Sequence, residues 1–189
     1  MCLLSCTAFA TTWTVDDSGG SDFDNIQAAV DVAIDGDEIV VMPGTYTSTA
    51  NDVVNMVGKA VWLHSIKGAE VTIIDGEGAR RGIVCESSET GETVIEGFMI
   101  TGGYAITGGG LYNYNSSPAV TNCTFENNIA DSGGGMCNYE GSRPTLTNCT
   151  FENNTADSGG GMYNWDSSSP TITNCTFTGN TATLYGGSK

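Results

Sequence analysis

The sequence predicts an all-β fold, a parallel β-helix in which each pass of the chain forms one coil. First, Asn122-Cys123-Thr124-Phe125 returns at Asn148 and again at Asn174, 26 residues apart each time. Second, each repeat holds short β-branched or aromatic runs bounded by Gly, Asn, Asp, Ser or Pro, which is typical of strands. Third, no helical period fits between these runs. A unit this short cannot bury its own apolar side, so successive units must stack.

The repeat also assigns side chains to the inside of the coils. In the last repeat, Ile172, Cys175 and Phe177 are predicted to point inward, and their counterparts are Val120, Cys123, Phe125, Leu146, Cys149 and Phe151. The cysteines are expected to be free, packed thiols. Asparagine tolerates the left-handed backbone of a tight bend. We therefore expect two stacked amide columns, formed by Asn122, Asn148 and Asn174 and by Asn128, Asn154 and Asn180.

Upstream, the repeat fades but the strand patterns continue. We interpret residues 38–189 as coils, with early strands at residues 38–41, 44–46, 60–66 and 71–74. Residues 23–34 carry apolar residues at helical spacing, with Asp22 as the expected N-cap. Because an open β-helix end exposes strand edges, we assign residues 11–37, a strand plus this helix, to an N-terminal cap.

The chain is strongly acidic, with 22 Asp and Glu against 6 Lys and Arg. This balance argues against nucleic acid and anionic membrane surfaces as partners. Residues 1–10 are similar to the end of a secretory signal, with Ala8-Phe9-Ala10 as a small-x-small cleavage site. No apolar run is long enough to span a membrane. We therefore expect a secreted or cell-surface protein, extracellular or at an outer membrane, and interpret the chain as C-terminally truncated within another repeat.

Two stretches resemble known families. Residues 25–30 through 36–46 resemble the cap and first coil of pectin-lyase-like right-handed β-helix proteins. The pairing of Phe125-Glu126-Asn127-Asn128 with Gly133-Gly134-Gly135-Met136 resembles the repeats of chlamydial polymorphic outer-membrane proteins, except that Gly135 stands where that family favours alanine. The resemblance implies a right-handed, single-stranded β-helix. This fold hosts enzymes, adhesins and secreted passengers, so it implies little about activity.

An acidic and basic loop is the one candidate for catalysis. A uronic-acid lyase of this fold would show acidic metal ligands near a basic residue, and the loop holding Asp75, Glu77, Arg80 and Arg81 has both kinds of side chain. The alternative is a charged turn with local ion pairs. The Asp-Asp and Gly-His-Gly signatures of pectin-hydrolysing relatives are missing, and we interpret the lone His64 as structural.

Two outward columns are candidates for binding. Strand alternation places an aromatic column outside, in which Tyr114, Tyr139 and Trp165 are expected to form one exposed stack beside Tyr112 and Tyr163. Such a stack could hold sugar rings, or the rings could simply pack on one another. The second column is acidic and could bind calcium, the one cofactor considered, or remain solvated. It consists of Glu126, Glu152, Asp131 and Asp157.

These patterns favour an exported, non-catalytic β-helix scaffold that binds glycans or other surfaces. A polysaccharide lyase or hydrolase remains the first alternative, and an autotransporter passenger the second. A polysaccharide or surface glycan is the expected partner, and the sequence leaves both enzymatic activity and oligomeric state open.

Overall fold

The computed structural model describes residues 10–185, apart from the side chain of residue 185. It is a right-handed parallel β-solenoid of about seven turns with one short helix. The predicted all-β parallel β-helix is therefore confirmed. The predicted signal remnant lies outside the described residues except for Ala10.

Short strands and one helix make up the chain. In chain order they are β1 (Thr12–Val15), α1 (Ile26–Val32), β2 (Glu38–Val41), β3 (Gly44–Tyr46), β4 (Asp52–Asn55), β5 (Trp62–Ser65), β6 (Thr72–Asp75), β7 (Arg81–Cys85), β8 (Val94–Glu96), β9 (Met99–Thr101), β10 (Tyr104–Thr107), β11 (Leu111–Tyr114), β12 (Ala119–Thr121), β13 (Thr124–Glu126), β14 (Ile129–Ser132), β15 (Met136–Tyr139), β16 (Thr145–Thr147), β17 (Thr150–Glu152), β18 (Thr155–Ser158), β19 (Met162–Asn164), β20 (Thr171–Thr173), β21 (Thr176–Thr178) and β22 (Thr181–Tyr185).

Equivalent strands of successive coils pair in parallel and form four sheets. Sheet A has the order β1-β2-β5-β8-β12-β16-β20, and sheet B has the order β3-β6-β9-β13-β17-β21. Sheet C has the order β4-β7-β11-β15-β19, and sheet D has the order β10-β14-β18-β22. Thr124 pairs with Thr150 and Thr150 pairs with Thr176, so the 26-residue period is the length of one coil. The sequence patterns identified sheets A, B and C but not sheet D.

The N-terminal cap closes the first coil. Strand β1 pairs with β2 at the end of sheet A, and α1 buries Ile26, Ala29 and Val30 against the core. The predicted N-cap, Asp22, is wrong because the helix begins later. Asn25 caps it, with its side-chain oxygen accepting a bond of 2.9 Å from the amide of Ala28. The Asp22 carboxylate instead accepts bonds from the amide and hydroxyl of Thr14.

The predicted inward columns fill the core of the inner coils. The rings of Phe125 and Phe151 stack with centroids 4.7 Å apart, and Phe177 continues the stack at the same spacing. Phe151 therefore buries both ring faces against its equivalents, at the spacing that the strands impose, and Phe125 has Ile100 as its neighbour on the other side. In the last coil Ile172 is exposed, because no described coil covers its outer edge.

The first predicted asparagine column, at Asn122, Asn148 and Asn174, forms the bends. All three residues have positive φ, between 53° and 55°. The amide of Asn148 donates to the side-chain oxygen of Asn122 over 3.2 Å. These side chains lie at the surface, so their main contribution is the left-handed backbone rather than a buried ladder.

The second predicted column, at Asn128, Asn154 and Asn180, is a buried ladder. The Nδ2 of Asn154 donates to Phe125 O at 2.8 Å and to the Oδ1 of Asn180 at 2.9 Å. Its Oδ1 accepts from the backbone amide and the Nδ2 of Asn128, both at 3.0 Å. The amides of Asn128 and Asn154 thus bond to the coils on both sides, which fixes the register of buried polar groups.

A third column, which the repeat pattern did not single out, runs through sheet C. Asn113 donates to Asn138 over 2.8 Å, and Asn138 donates to Asn164 over 2.7 Å. In β7, the neighbouring strand from the preceding coil, Cys85 is paired with Asn113. The Oδ1 of Asn113 is consequently buried without a hydrogen-bond partner. The ladder therefore ends at a small apolar residue.

The triple glycines mark a close approach between strands. Gly133 has φ +68°, and a Cβ there would lie 2.8 Å from the Cβ of Cys137. A Cβ on Gly135 would lie 2.5 Å from the carbonyl oxygen of Gly161 in the next coil. Neither position has room for a side chain.

We predict that Asn154→Ala destabilises the protein by at least about 3 kcal/mol, because it leaves several buried polar groups without a partner. Chemical denaturation monitored by circular dichroism measures this loss. The matched control is Asn153→Gly, which changes an exposed asparagine with φ +54° to the residue that best tolerates that backbone. Equal losses in the two variants would contradict the role of the ladder.

The described cysteines are free thiols, as expected. Burial raises the pKa of the Cys149 thiol to about 12, and burial likewise raises the pKa of Cys137 to about 12. Burial also raises the pKa of the Cys123 thiol well above its ordinary value. At neutral pH these thiols are therefore protonated and unreactive core residues.

This burial predicts a loss of stability at alkaline pH. A folded thiol with a raised pKa contributes its full stabilisation below the unfolded pKa of about 9 and loses it as the pH rises towards 12. Cys149→Ala should therefore flatten the fall in unfolding free energy between these values by about 1.4 kcal/mol per pH unit. Denaturant titrations of both proteins across this range measure the slopes, and parallel curves would refute the prediction.

Candidate functional site

Aromatic side chains cover the outer face of sheet C. Tyr114 and Tyr139, one coil apart, stack with ring centroids 5.8 Å apart and an interplanar angle of 14°. Tyr163 and Trp165 form a second stacked pair at 6.0 Å and 12°. Strand β19 ends at Asn164, so Trp165 lies beyond it and its ring packs on Tyr163. The expected single stack of three rings is therefore two adjacent pairs.

In the outward column beside these pairs, Cys137 occupies the position between Tyr112 and Tyr163. Cys137 lies in the outward column, yet only 1 % of it is exposed, since the turn at Gly133 packs against it. In the neighbouring coil, the guanidinium of Arg81 lies 5.0 Å from the centre of the Tyr112 ring. Burial raises the pKa of Tyr112 to about 12, so this phenol remains a hydrogen-bond donor.

The outer rings of this surface are accessible. Tyr114 is 37 % exposed and Trp165 is 54 % exposed, while Tyr139 is half-buried. Tyr114, Tyr139 and Tyr163 stand on paired strands of one sheet, so the ladder beneath them fixes their positions, and Trp165 lies directly after β19. A rigid row of rings with polar tips combines apolar contact area with hydrogen-bonding groups. We call the surface formed by Tyr112, Tyr114, Tyr139, Tyr163 and Trp165 the aromatic face.

The loop predicted as a catalytic candidate is a charged turn with local contacts. Asp75 accepts a bond of 2.7 Å from the amide of Glu77, and Arg80 forms an ion pair with Glu77. Arg81 forms an ion pair of 2.6 Å with Asp52, one coil away. Both arginines therefore have an acidic partner. The partnership of Asp52 with Arg81 could not be read from the sequence, because the two residues are 29 positions apart.

A groove of about 850 Å³ lies beside this turn. Arg80 and Arg81 line it together with Asp52 and Glu86, and strand β10 forms one wall. The acids that line the groove, Asp52 and Glu86, are thus different from the predicted Asp75 and Glu77, of which Glu77 pairs with Arg80. The sequence could have located the groove through the lengths of equivalent connections. The connection from β6 to β7 is a short turn, whereas the connection from β9 to β11 is longer and includes β10.

The one described histidine belongs to a cluster on sheet A. Its Nε2 lies 3.0 Å from Glu38, and its ring stacks on the exposed Trp62 with centroids 4.0 Å apart. The indole of Trp62 donates to Glu96 over 3.0 Å. All these bonds lie within the sheet surface, which agrees with a structural His64 and leaves Trp62 as an exposed aromatic residue away from the aromatic face.

The acidic column is short. Glu126 and Glu152 are paired in register, and Asp131 and Asp157 lie exposed on sheet D. Within residues 10–185, no group of three or more His, Cys, Asp or Glu side chains is placed to hold a metal ion. Calcium takes six to eight oxygen ligands, so two carboxylates would require water or backbone oxygens to complete the shell. Calcium binding stays a prediction.

We expect calcium to raise the melting temperature of the wild type by about 2 to 4 °C, since it would screen the repulsion between stacked glutamates. The Glu126→Gln/Glu152→Gln variant should not respond, and magnesium serves as the matched ion. Differential scanning calorimetry with each ion measures the shift. An identical response of wild type and variant, or no response in either, would rule out this site.

Comparison with known proteins bears on the fold. The family model described as a right handed beta helix region matches residues 81–188. No curated protein sequence matches the chain significantly. Among the described residues, no helix combines the length and the apolar character needed to cross a membrane.

Proposed function

Because the chain belongs to the right-handed β-helix family, we propose that it is a non-catalytic scaffold, exported to the cell surface or beyond, that binds a glycan through the aromatic face. The fold carries many unrelated functions, so the proposal depends on the surface of this particular chain. The signal-like pattern of residues 1–10 supports export, and a secreted passenger would be one form of such a scaffold.

The observation that carries the proposal is the pair of exposed aromatic stacks on sheet C. The sugar ring of a glycan presents apolar C–H groups on its faces and hydroxyl groups around its edge. Flat aromatic rings match the first, and the phenol and indole tips of Tyr114 and Trp165 match the second. Tyr114 and Tyr139 follow one another on neighbouring strands, about 4.8 Å apart, and the pair of Tyr163 and Trp165 is adjacent, so the rings offer successive contacts to a linear chain.

The local charge pairing supports a role without catalysis. Arg80 is paired with Glu77 and Arg81 with Asp52. A catalytic acid or base has to be within hydrogen-bonding reach of a reacting group of the substrate. These four side chains are instead engaged with one another, which is typical of a structural turn.

A lyase or hydrolase acting on an acidic polysaccharide is the second candidate. It is favoured by one observation, the meeting of Asp52 and Glu86 with two arginines in one groove. Incubation with acidic polysaccharides, with and without calcium, followed by assays for new reducing ends and unsaturated products, distinguishes it from the scaffold. Product formation that is lost in Asp52→Asn would establish the enzyme, and a binding signal without products supports the scaffold.

We predict that Tyr114→Ser/Tyr139→Ser/Trp165→Ser weakens glycan binding by at least about tenfold, because aromatic anchors dominate such contacts. The variant should stay folded, since these side chains lie on the outside of the sheet. A glycan array identifies the ligand, and titration calorimetry with that oligosaccharide measures the affinity of each protein.

Trp62→Ser is the matched control, because Trp62 is an exposed aromatic residue on another sheet. It should bind the same glycan as the wild type. An unchanged array signal in the triple variant, or an equal loss in the control, would sink the proposal.

A further inference from the structure

Sheet D begins abruptly at β10. The coils that contain β10, β14 and β18 each pass through four strands, whereas the coil before β10 runs from β6 to β7 through a turn. Strand β10 is therefore the edge of sheet D on its N-terminal side, within the part of the chain that the structure describes. The preceding coil therefore has no strand that could pair with β10 in sheet D.

The free edge of β10 presents unpaired backbone groups. Ile129 N donates to Gly103 O, so residue 103 faces β14. Tyr104 N donates to Arg80 O, so residue 104 faces away from β14. Alternate residues of a strand point their backbone groups to opposite edges. The carbonyl of Tyr104 and the N–H of Ile106 consequently face the groove. The register skips the pair of Ile106 with Asp131, and Gly108 N donates to Ser132 O, so the carbonyl of Ile106 faces β14 instead.

The groove is one strand wide. The connection from β3 to β4 forms the upper wall, with Thr49 and Asn51 in the lining, and β10 forms the lower wall. Asp52 pairs with Arg81, and Gly82 N donates to Gly109 O, so the two walls are two coils apart. Two coil spacings are about 10 Å, which leaves room for one strand at about 4.8 Å from each wall.

The ends and floor of the groove are also defined. Tyr104 N bonds to Arg80 O at one end, and the Nε of Arg81 donates to the carbonyls of Thr107 and Gly108 at the other. In the inward column of sheet D, Ala130 and Ala156 are 6 % and 2 % exposed. Their equivalent Ala105, next to the groove, is half-buried because no strand covers it.

We propose that this groove binds an extended peptide strand of a partner protein, which adds to β10 and completes sheet D. The backbone of the guest would donate to the carbonyl of Tyr104 and accept from the N–H of Ile106. Its inward residues must be small, as Ala105 and Ala130 are in the sheet. Its outward residues would be apolar, because they would lie beside Tyr104 and Ile106, which are 56 % and 75 % exposed.

The chemistry of the groove favours a peptide over a glycan. An edge strand offers N–H donors and carbonyl acceptors in the alternating order that another strand matches. The arginines of the groove are already paired with acids, so the groove offers no uncompensated positive charge to an acidic polymer. The site is distinct from the aromatic face, and its failure would leave the proposed glycan binding untouched.

The test uses the whole chain and the synthetic peptide Asn-Asn-Ile-Ala-Ile-Ser-Gly-Gly. This is the sequence of residues 127–134 with isoleucine in place of Asp131, so it has the small inward residues of β14 and apolar outward residues. At about millimolar peptide, as expected for a short strand, the amide of Ile106 should shift in NMR spectra and its hydrogen exchange should slow at least about tenfold. A peptide with leucine at the Ala and Ser positions should not bind.

Ile106→Pro removes the N–H that faces the groove and should weaken peptide binding at least about tenfold, whereas the control Ile106→Thr keeps the N–H and should bind. A peptide that is N-methylated at alternate residues gives a second test that leaves the protein unchanged. Binding that survives both changes would overturn the proposal. It would equally be overturned if oligosaccharides but not peptides perturb Ile106, or if neither does.

Discussion

The in-register stacking of successive coils is the constraint on which the whole molecule depends. Each strand bonds only to its equivalents in neighbouring coils, so a residue and its counterpart 26 positions later must accept the same surroundings. Apolar side chains meet this condition by stacking, as Phe125 does on Phe151. Buried asparagines meet it by hydrogen bonding along the stack, and an amide is suited to this because it both donates and accepts.

The same constraint determines the surface. Outward residues also repeat at the coil spacing, and they are free to differ because they do not hold the coils in register. The aromatic face arises where the outward positions of sheet C carry tyrosine and tryptophan. The groove beside β10 arises where one coil takes a shorter path than the next, so that the stack loses a strand. Candidate binding sites therefore lie at the tolerant outward positions and where coil lengths differ.

The sequence repeat predicted the structural features that recur once in every coil. The inward phenylalanines and the bends at Asn122 and its equivalents recur at a fixed spacing, and so they could be read directly from the sequence. Features set by contacts within one coil or by differences between coils could not. Trp165 stacks on Tyr163 because β19 ends before it. Arg81 forms an ion pair with Asp52 of the preceding coil. Strand β10 has no equivalent strand in the coil before it.

Deleting one complete coil is the measurement that tests the stacking account most directly. Removal of residues 127–152 joins Glu126 to the residue that follows its own equivalent, so every ladder should re-form with one rung fewer. We predict that this variant retains the β-sheet circular dichroism signal and unfolds cooperatively. Removal of only residues 127–139 should disrupt folding, because it shifts the register of all later strands. If the two deletions are equally harmful, or if the half-coil deletion is tolerated better, the stacking account is contradicted.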